Sequence, residues 1–201
     1  MCAMPAVRRG RELSAPDRSE WTLASLAGRL VELSGSEDSA ALTCAFGLVR
    51  QAQFTGEPVA WIGTVHETFY PPDAAAGGVD LDALAVVRVS DGRALVRAAD
   101  QLARSGAFGL LVLDMGNAHV AMAALSRLLG LAQRHQIVVL FVTDKPETAP
   151  SLGSLVSLRG RVQRTRRGED EFVCTLEAIK DKRRAPGWKV TEVCGGPAGL
   201  H

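Results

Sequence analysis

From Gly28 to Thr43 the chain reads GRLVELSGSEDSAALT: a short apolar run, a polar turn, then the start of a helical pattern. Such a strand-to-helix junction aims backbone N–H groups and a positive dipole end at one point, which is where phosphate-binding loops are built. Their pattern is a glycine, four residues, then Gly-Lys-Ser/Thr. Arg29 to Leu33 reads as the strand, and Gly35 takes the first glycine position. The second glycine position holds Ala40, the lysine position Ala41 and the magnesium-binding hydroxyl position Leu42, while Thr43, one place later, still offers a hydroxyl. The lysine neutralises the β- and γ-phosphates, the hydroxyl ligates Mg2+, and the second glycine frees the backbone to wrap the phosphates. Alanine and leucine do none of this. A helix beginning near Ser39 would still present its positive end, but Glu37 and Asp38 face it without a cationic counterweight. An ordinary strand, turn and helix accounts for the window equally well.

The rest of the chain alternates in the same manner. Short continuous apolar runs at Arg29–Leu33, Val59–Gly63, Leu84–Val89, Leu110–Asp114 and Ile137–Thr143 read as parallel strands covered on both faces. Helices are predicted near Ser39–Thr55, Asp91–Ser105 and Ala118–His135, with Leu95, Ala98, Ala99 and Leu102 in one and Val120, Ala124, Leu128 and Leu131 in another at helical spacing. Leu155–Gln163 and Glu171–Ile179 then flank TRRGED as a charged hairpin, and Trp188–Val193 forms a last strand. The expected class is α/β: a mainly parallel sheet flanked by helices, followed by antiparallel late strands. A flexible polar arm over residues 1–20, one core domain over 21–193 and a mobile Gly/Pro-rich tail over 194–201 complete the expected organisation. Trp61 and Phe141 fall inside strand runs and are expected in the core.

The Gly28–Thr43 segment resembles the core of the RecA recombinase family, whose loop has the form GRIVEIYGPESSGKTT. The likeness continues through GVDLDAL at Gly78–Leu84, DQLARSGA at Asp100–Ala107 and LLVLD at Leu110–Asp114, so that order and spacing agree over roughly 80 residues. A weaker likeness runs through VVLFVTD at Val138–Asp144 and the charged hairpin. The resemblance implies a RecA-like core and places Asp114 at the position of the Walker B aspartate.

The departures remove the chemistry. Where the family carries a glutamate that activates water, in the form IDAEH, this chain reads IGTVH and has Val65, leaving no general base for the γ-phosphate. The polar Asn-Gln pair that couples nucleotide state to the DNA loops is matched by Thr143 and Asp144. Asp114 is therefore expected to be vestigial or structural. Both DNA-binding loops look shortened: Met115 to Ala118 runs straight into the next helix, and the second loop shrinks to KPETAPSLGS, Lys145–Ser154, with one lysine. The family's amino-terminal polymerisation module and carboxyl-terminal domain have no recognisable counterpart, and the chain is expected to be a solitary core.

A chain of 201 residues, 47% hydrophobic and 22% charged, can bury a core without staples, and its net charge of +1 exerts no global pull on nucleic acid. Cys2, Cys44, Cys174 and Cys194 have neither Cys-x-x-Cys nor histidine-ligand spacing, so neither a metal nor another cofactor is expected, and free thiols suit the cytoplasm. No apolar run reaches membrane length. His66, His119, His135 and His201 are scattered without a nucleophile motif.

Two basic clusters remain. Arg159, Arg161 and Gln163 share one strand face, followed by Arg164, Arg166 and Arg167; this reads as a solvated face paired with Glu169, Asp170 and Glu171 across the hairpin. The second, IKDKRRAPGWK, corresponds to VKNKIAAPF in the family and carries Lys180, Lys182, Arg183, Arg184, Trp188 and Lys189. Its tryptophan either anchors the tail on the sheet or, with the arginines, forms an interface hot spot.

Among RecA-like cores with lost nucleotide sites, the chain most resembles the ImuA family of the bacterial mutagenesis cassette. That resemblance implies a non-enzymatic adaptor in SOS mutagenesis and translesion synthesis. Its partners would be RecA, an ImuB-like protein and an error-prone DNA polymerase, with contacts through the Lys180–Lys189 cluster, self-association open, and little direct DNA binding. The alternatives are a DNA-binding accessory protein using the basic hairpin and a residual nucleotide-binding RecA paralogue in recombinational repair.

Overall fold

The computed structural model of the chain describes residues 20–35, 40–65, 69–146, 148–168 and 171–195. Eight strands, β1 (Leu30–Gly35), β2 (Val59–Thr64), β3 (Leu84–Val89), β4 (Leu110–Gly116), β5 (Val138–Asp144), β6 (Leu158–Arg166), β7 (Glu171–Asp181) and β8 (Lys189–Gly195), form one sheet in the order β3-β2-β4-β5-β1-β6-β7-β8. The pairings from β3 to β6 are parallel; β7 and β8 add antiparallel. Helices α1 (Leu23–Leu26), α2 (Ala41–Phe54), α3 (Pro71–Ala76), α4 (Gly92–Ser105) and α5 (Met122–His135) complete the described elements.

Alternation along the strands divides the core in two. Val31, Leu33, Val59, Trp61, Val112, Val138 and Leu140 face α1 and α2, where Phe46 lies 4.9 Å from Trp61 between ring centroids. Leu30, Ile62, Leu111, Leu113, Val139 and Phe141 face α4 and α5. Trp61 and Phe141 are fully buried, as their strand positions required. The α4 helix is set by its ends: Asp91 accepts the N–H groups of Arg93 and Ala94 at 2.9 and 2.8 Å, and Gly106 closes it in the left-handed region at φ 66°. The hydrogen bond from the Ala94 N–H, aided by Ser90 and Arg93, holds the exposed Asp91 carboxyl below its ordinary pKa.

Several boundaries differ from the sequence reading. The α5 helix starts at Met122 rather than Ala118, because β4 continues to Gly116, which takes φ 51°, and Val120 is buried as a plug ahead of the helix. Edge strand β3 is not covered on both faces: Ala85, Val86 and Arg88 are exposed. The sixth strand begins at Leu158 because Leu155–Ser157 turns, with the Val156 N–H donating to Gly153 O at 3.3 Å. Cys194 and Gly195 belong to β8, and Glu20 is folded, pairing with Arg184 while its carbonyl accepts from Ser25 Oγ at 2.7 Å. The α1 and α3 helices, the latter opened by Pro71 and Pro72, were not anticipated. The expected arm over 1–19, tail over 196–201, Glu37, Asp38, Ser39, His66, Glu169 and Asp170 lie outside the described residues. Among the described residues no helix is long and apolar enough to cross a membrane.

Candidate functional site

The parallel strands bring Gly35 and Asp114 to their shared carboxyl edge. Gly35 ends β1 in register with Asp144 of β5, and Asp114 of β4 stands beside Val142 and Gly63 in its neighbours, 5% exposed. The first turn of α2 presents no cation here: Ala40 and Ala41 are 2% and 6% exposed inside the α2-side core, and Leu42 packs against the same cluster. Thr43 alone of the four is exposed. The Ala40 cap offers no side-chain hydrogen bond to the helix N–H groups. Val65 is 55% exposed, its N–H donating to Val89 O at 3.1 Å as a continuation of the β2–β3 pairing. These residues do not fit Mg-ATP, because the positions that should cradle phosphate supply methyl and isobutyl groups to the core instead. Among the described residues no cluster of three or more His, Cys, Asp or Glu could hold a metal.

A buried ionic centre sits on the other face of β1. Glu32 is fully buried; its Oε2 accepts the Leu152 N–H at 2.9 Å, and its Oε1 accepts from Thr143 Oγ1 at 3.3 Å. Lys145 Nζ and Arg159 Nε lie 3.3 and 3.8 Å from Oε1. Arg159, in register with Glu32 across the β1–β6 pair, donates to Ser34 Oγ at 3.0 Å, to Pro146 O at 3.1 Å and to Ala149 O. Arg159 is thus not on a solvated face, contrary to the sequence reading: the carboxylate opposite draws it inside. Arg161 is half-buried and pairs with Glu177 of β7 at 2.5 Å. The Arg161 hydrogen bond, with Lys189, holds Glu177 below the ordinary carboxylate range. Nearer the hairpin tip Arg164, Arg166 and Arg167 are exposed, and Arg164 lies over the Phe172 ring at 4.8 Å. Glu32 escaped the sequence reading, although a lone carboxylate inside an otherwise apolar buried strand signals a buried cation nearby.

The late basic cluster is engaged within the chain. Lys180 Nζ donates to Ser151 Oγ at 3.1 Å and Gly153 O at 3.2 Å, and Lys182 Nζ to Ser154 O at 2.5 Å. With Lys145 and Arg159, these cations pin the 145–157 segment to the sheet. Desolvation, reinforced by Lys182 and Arg159, pushes the Lys180 ammonium below its ordinary pKa. Arg183 donates to Ser25 O at 3.5 Å and Ala27 O at 3.3 Å, capping α1, and Lys189 Nζ lies 3.3 Å from Glu177. At the base of the turn Asp181 accepts from Arg29 at 2.6 Å, from the Arg183 N–H at 2.9 Å and from Trp188 Nε1 at 3.1 Å. Burial alone would raise the Asp181 pKa; the hydrogen bonds from Arg183, Arg29 and Trp188 outweigh it and hold the carboxyl below its ordinary value. Trp188 therefore anchors the turn, one of the two roles the sequence left open.

A cleft of about 410 Å3 runs between α2 and the β7–β8 ribbon, lined among others by Trp21, Cys44, Gly47, Phe54, Val190 and Glu192. Phe54, at the end of α2, is 93% exposed. Burial raises the Cys44 thiol pKa, and burial with the neighbouring Cys194 pushes Cys174 up to about 12, so these thiols behave as apolar packing.

The family described as RecA N-terminal domain matches residues 24–148. Protein RecA of Rhodospirillum rubrum is 30% identical over 193 residues, covering 80% of this chain and 50% of the relative. Protein RecA of Clostridium novyi is 28% identical over 202 residues, covering 82% and 57%, and that of Corynebacterium urealyticum 35% identical over 130 residues, covering 58% and 34%. The chain spans about half the length, 50% and 57%, of the curated relatives it matches along most of its own.

Proposed function

Since the chain belongs to the family of the RecA N-terminal domain, we propose that it acts in DNA repair as a RecA-like adaptor without nucleotide chemistry of its own. The observation that carries this reading is the burial of Ala40 and Ala41, whose methyl groups complete the core at the two positions where a phosphate-binding loop would need a glycine and a lysine. Val65 in place of a general base and Leu42 in place of a magnesium ligand support it further. A fold that drops its chemistry while keeping its sheet still presents edges and faces to partners. In the finer form of the proposal the partners are a RecA-type filament subunit and an ImuB-like protein, with an error-prone DNA polymerase in the same assembly, and the activity is ImuA-like support of SOS mutagenesis.

Titration calorimetry with ATP and Mg2+, beside sedimentation with a RecA-type subunit and with an ImuB-like protein, tests the proposal. No nucleotide heat and a stoichiometric complex with at least one partner are expected. Micromolar ATP affinity, or hydrolysis that disappears in Asp114→Asn, overturns it. The exposed Arg164, Arg166 and Arg167 favour a second reading, a DNA-binding accessory protein, which requires salt-dependent binding to an oligonucleotide at physiological ionic strength.

A further inference from the structure

We propose that the outer face of α4, with the adjoining flank of α5, is a docking site for an acidic segment of a partner protein. Leu95, Ala99 and Ala103 turn one side of α4 toward the core, and the opposite side carries Arg93, Arg97 and Arg104, all exposed. Positions 93, 97, 100 and 104 lie in one column, and Asp100 is its acid. One Asp100 oxygen accepts from Arg104 Nε at 2.8 Å, and Arg127 Nε of α5 lies 3.7 Å from the other. The α5 helix therefore sets a second column beside the first, with exposed Arg134 seven residues beyond Arg127 on the same side.

Folding does not explain the amino half of this band. Arg93 and Arg97 are like charges four residues apart, an arrangement that weakens a helix, and both stand in its first two turns at the positive end of the dipole. Arg104 and Arg134 sit in last turns, where a cation is favourable, and Arg104 has a carboxylate one turn back. Among the described residues Arg93 and Arg97 form no ion pair. Asp91 is committed to the N–H groups of Arg93 and Ala94, at 2.9 and 2.8 Å, and attracts Arg97 only through space. A docked anion relieves both penalties at once.

Carboxylates fit this band better than a phosphate backbone does. The α4 N-terminus, where phosphate would be seated, is closed by Asp91. The band runs only about 16 Å from Arg93 to Arg104, and Asp100 interrupts it, so a continuous polyanion meets a repelling charge. Discrete carboxylates along about five extended residues instead straddle Asp100, pairing with Arg93 and Arg97 on one side and with Arg127 and Arg134 on the other. Neither helix carries a Phe, Tyr or Trp on which bases could stack.

This inference rests on the adaptor reading and names its contact surface, moving it from the Lys180–Lys189 turn, which is engaged within the chain, to the α4–α5 face. The test is fluorescence anisotropy of labelled octaglutamate and of a labelled DNA duplex with three full-length chains. These are wild type, Arg93→Gln with Arg97→Gln, and a control with Arg164, Arg166 and Arg167 each replaced by Gln. The α4 variant should lose about fivefold to tenfold in octaglutamate affinity and the control less than about twofold, with binding weakened by salt. Glutamine keeps the helix propensity of arginine, so the melting point of the α4 variant should be unchanged or higher. A lower melting point gives the two arginines a structural role and overturns the proposal. So does an absence of octaglutamate binding, an equal loss in both variants, a loss confined to the control, or tighter binding of the duplex through the same two arginines. The partner that sediments with wild type should bind the α4 variant less tightly; unchanged binding overturns this site while the adaptor reading stands, and ATP hydrolysis by the same preparation overturns the adaptor reading alone.

Discussion

Glu32 and Arg159 face each other in register across the parallel β1–β6 pair, both withdrawn from solvent, with Lys145 completing the ionic centre on the same carboxylate. Their joint removal and their single removal should differ sharply. Glu32→Ala leaves Arg159 buried without its countercharge and is expected to cost about 3–5 kcal/mol in urea unfolding, whereas Glu32→Leu with Arg159→Leu should recover much of the loss. Equal destabilisation in single and double variants would mean that the pair contributes shape and not charge.

The Arg29–Asp181 pair gives a pH signature. The folded Asp181 pKa is depressed, so its contribution is fully present above the ordinary carboxylate value and is lost as pH falls through the lower folded value. Wild type should therefore exceed Asp181→Asn in stability by a constant margin between about pH 5 and 8, and the margin should close below about pH 4. Thermal unfolding across that range measures it.

Restoring the lysine of a phosphate loop should fail. Ala41→Lys forces an ammonium into a site whose methyl is 6% exposed, with an expected cost of about 1–3 kcal/mol and no gain of ATP heat in calorimetry. Nucleotide binding by Ala41→Lys without loss of stability would mean that the loop has kept its shape.

Oligonucleotide binding should be weak at about 150 mM salt, where charges farther apart than roughly 8 Å are screened. Among the described residues of the hairpin tip, the exposed arginines are Arg164, Arg166 and Arg167. Replacing all three by alanine should flatten whatever salt dependence fluorescence anisotropy detects with single-stranded DNA, by about 0.7 in slope for each arginine–phosphate pairing removed. A salt-insensitive interaction would require another surface.

Arg183→Ala should lower stability by about 1 kcal/mol, because its guanidinium meets two carbonyls at the end of α1. Partner binding by variants of this turn is therefore to be read only beside circular dichroism. An unchanged melting point would show that the cap is dispensable.

The strands were legible because apolar runs are a local property. Leu84–Val89 matched to the residue, and Gly35 and Asp114 fall near the carboxyl ends of the strands read for them. What escaped was long-range. Nothing near Arg159 in sequence announces Glu32, and alternation placed the arginine on a face correctly while misjudging what that face meets. Lys182 and Arg183 looked like a surface cluster because the Ser154 and Ser25 carbonyls that accept from them lie 28 and 158 residues away in sequence and are in place only in the folded chain.

The buried charges also separate the bounds of a family match from those of a folding unit. The match to the RecA N-terminal domain ends at residue 148, yet Arg29 and Glu32 inside it find counterions at Asp181 and Arg159 beyond it. A fragment cut there would keep Lys145 beside Glu32 but leave Arg29 without Asp181, and it would lose the β6 neighbour of its central strand. The smallest cooperative unit of this protein must therefore reach at least through Asp181, which joins the parallel sheet and the late antiparallel ribbon in one unit.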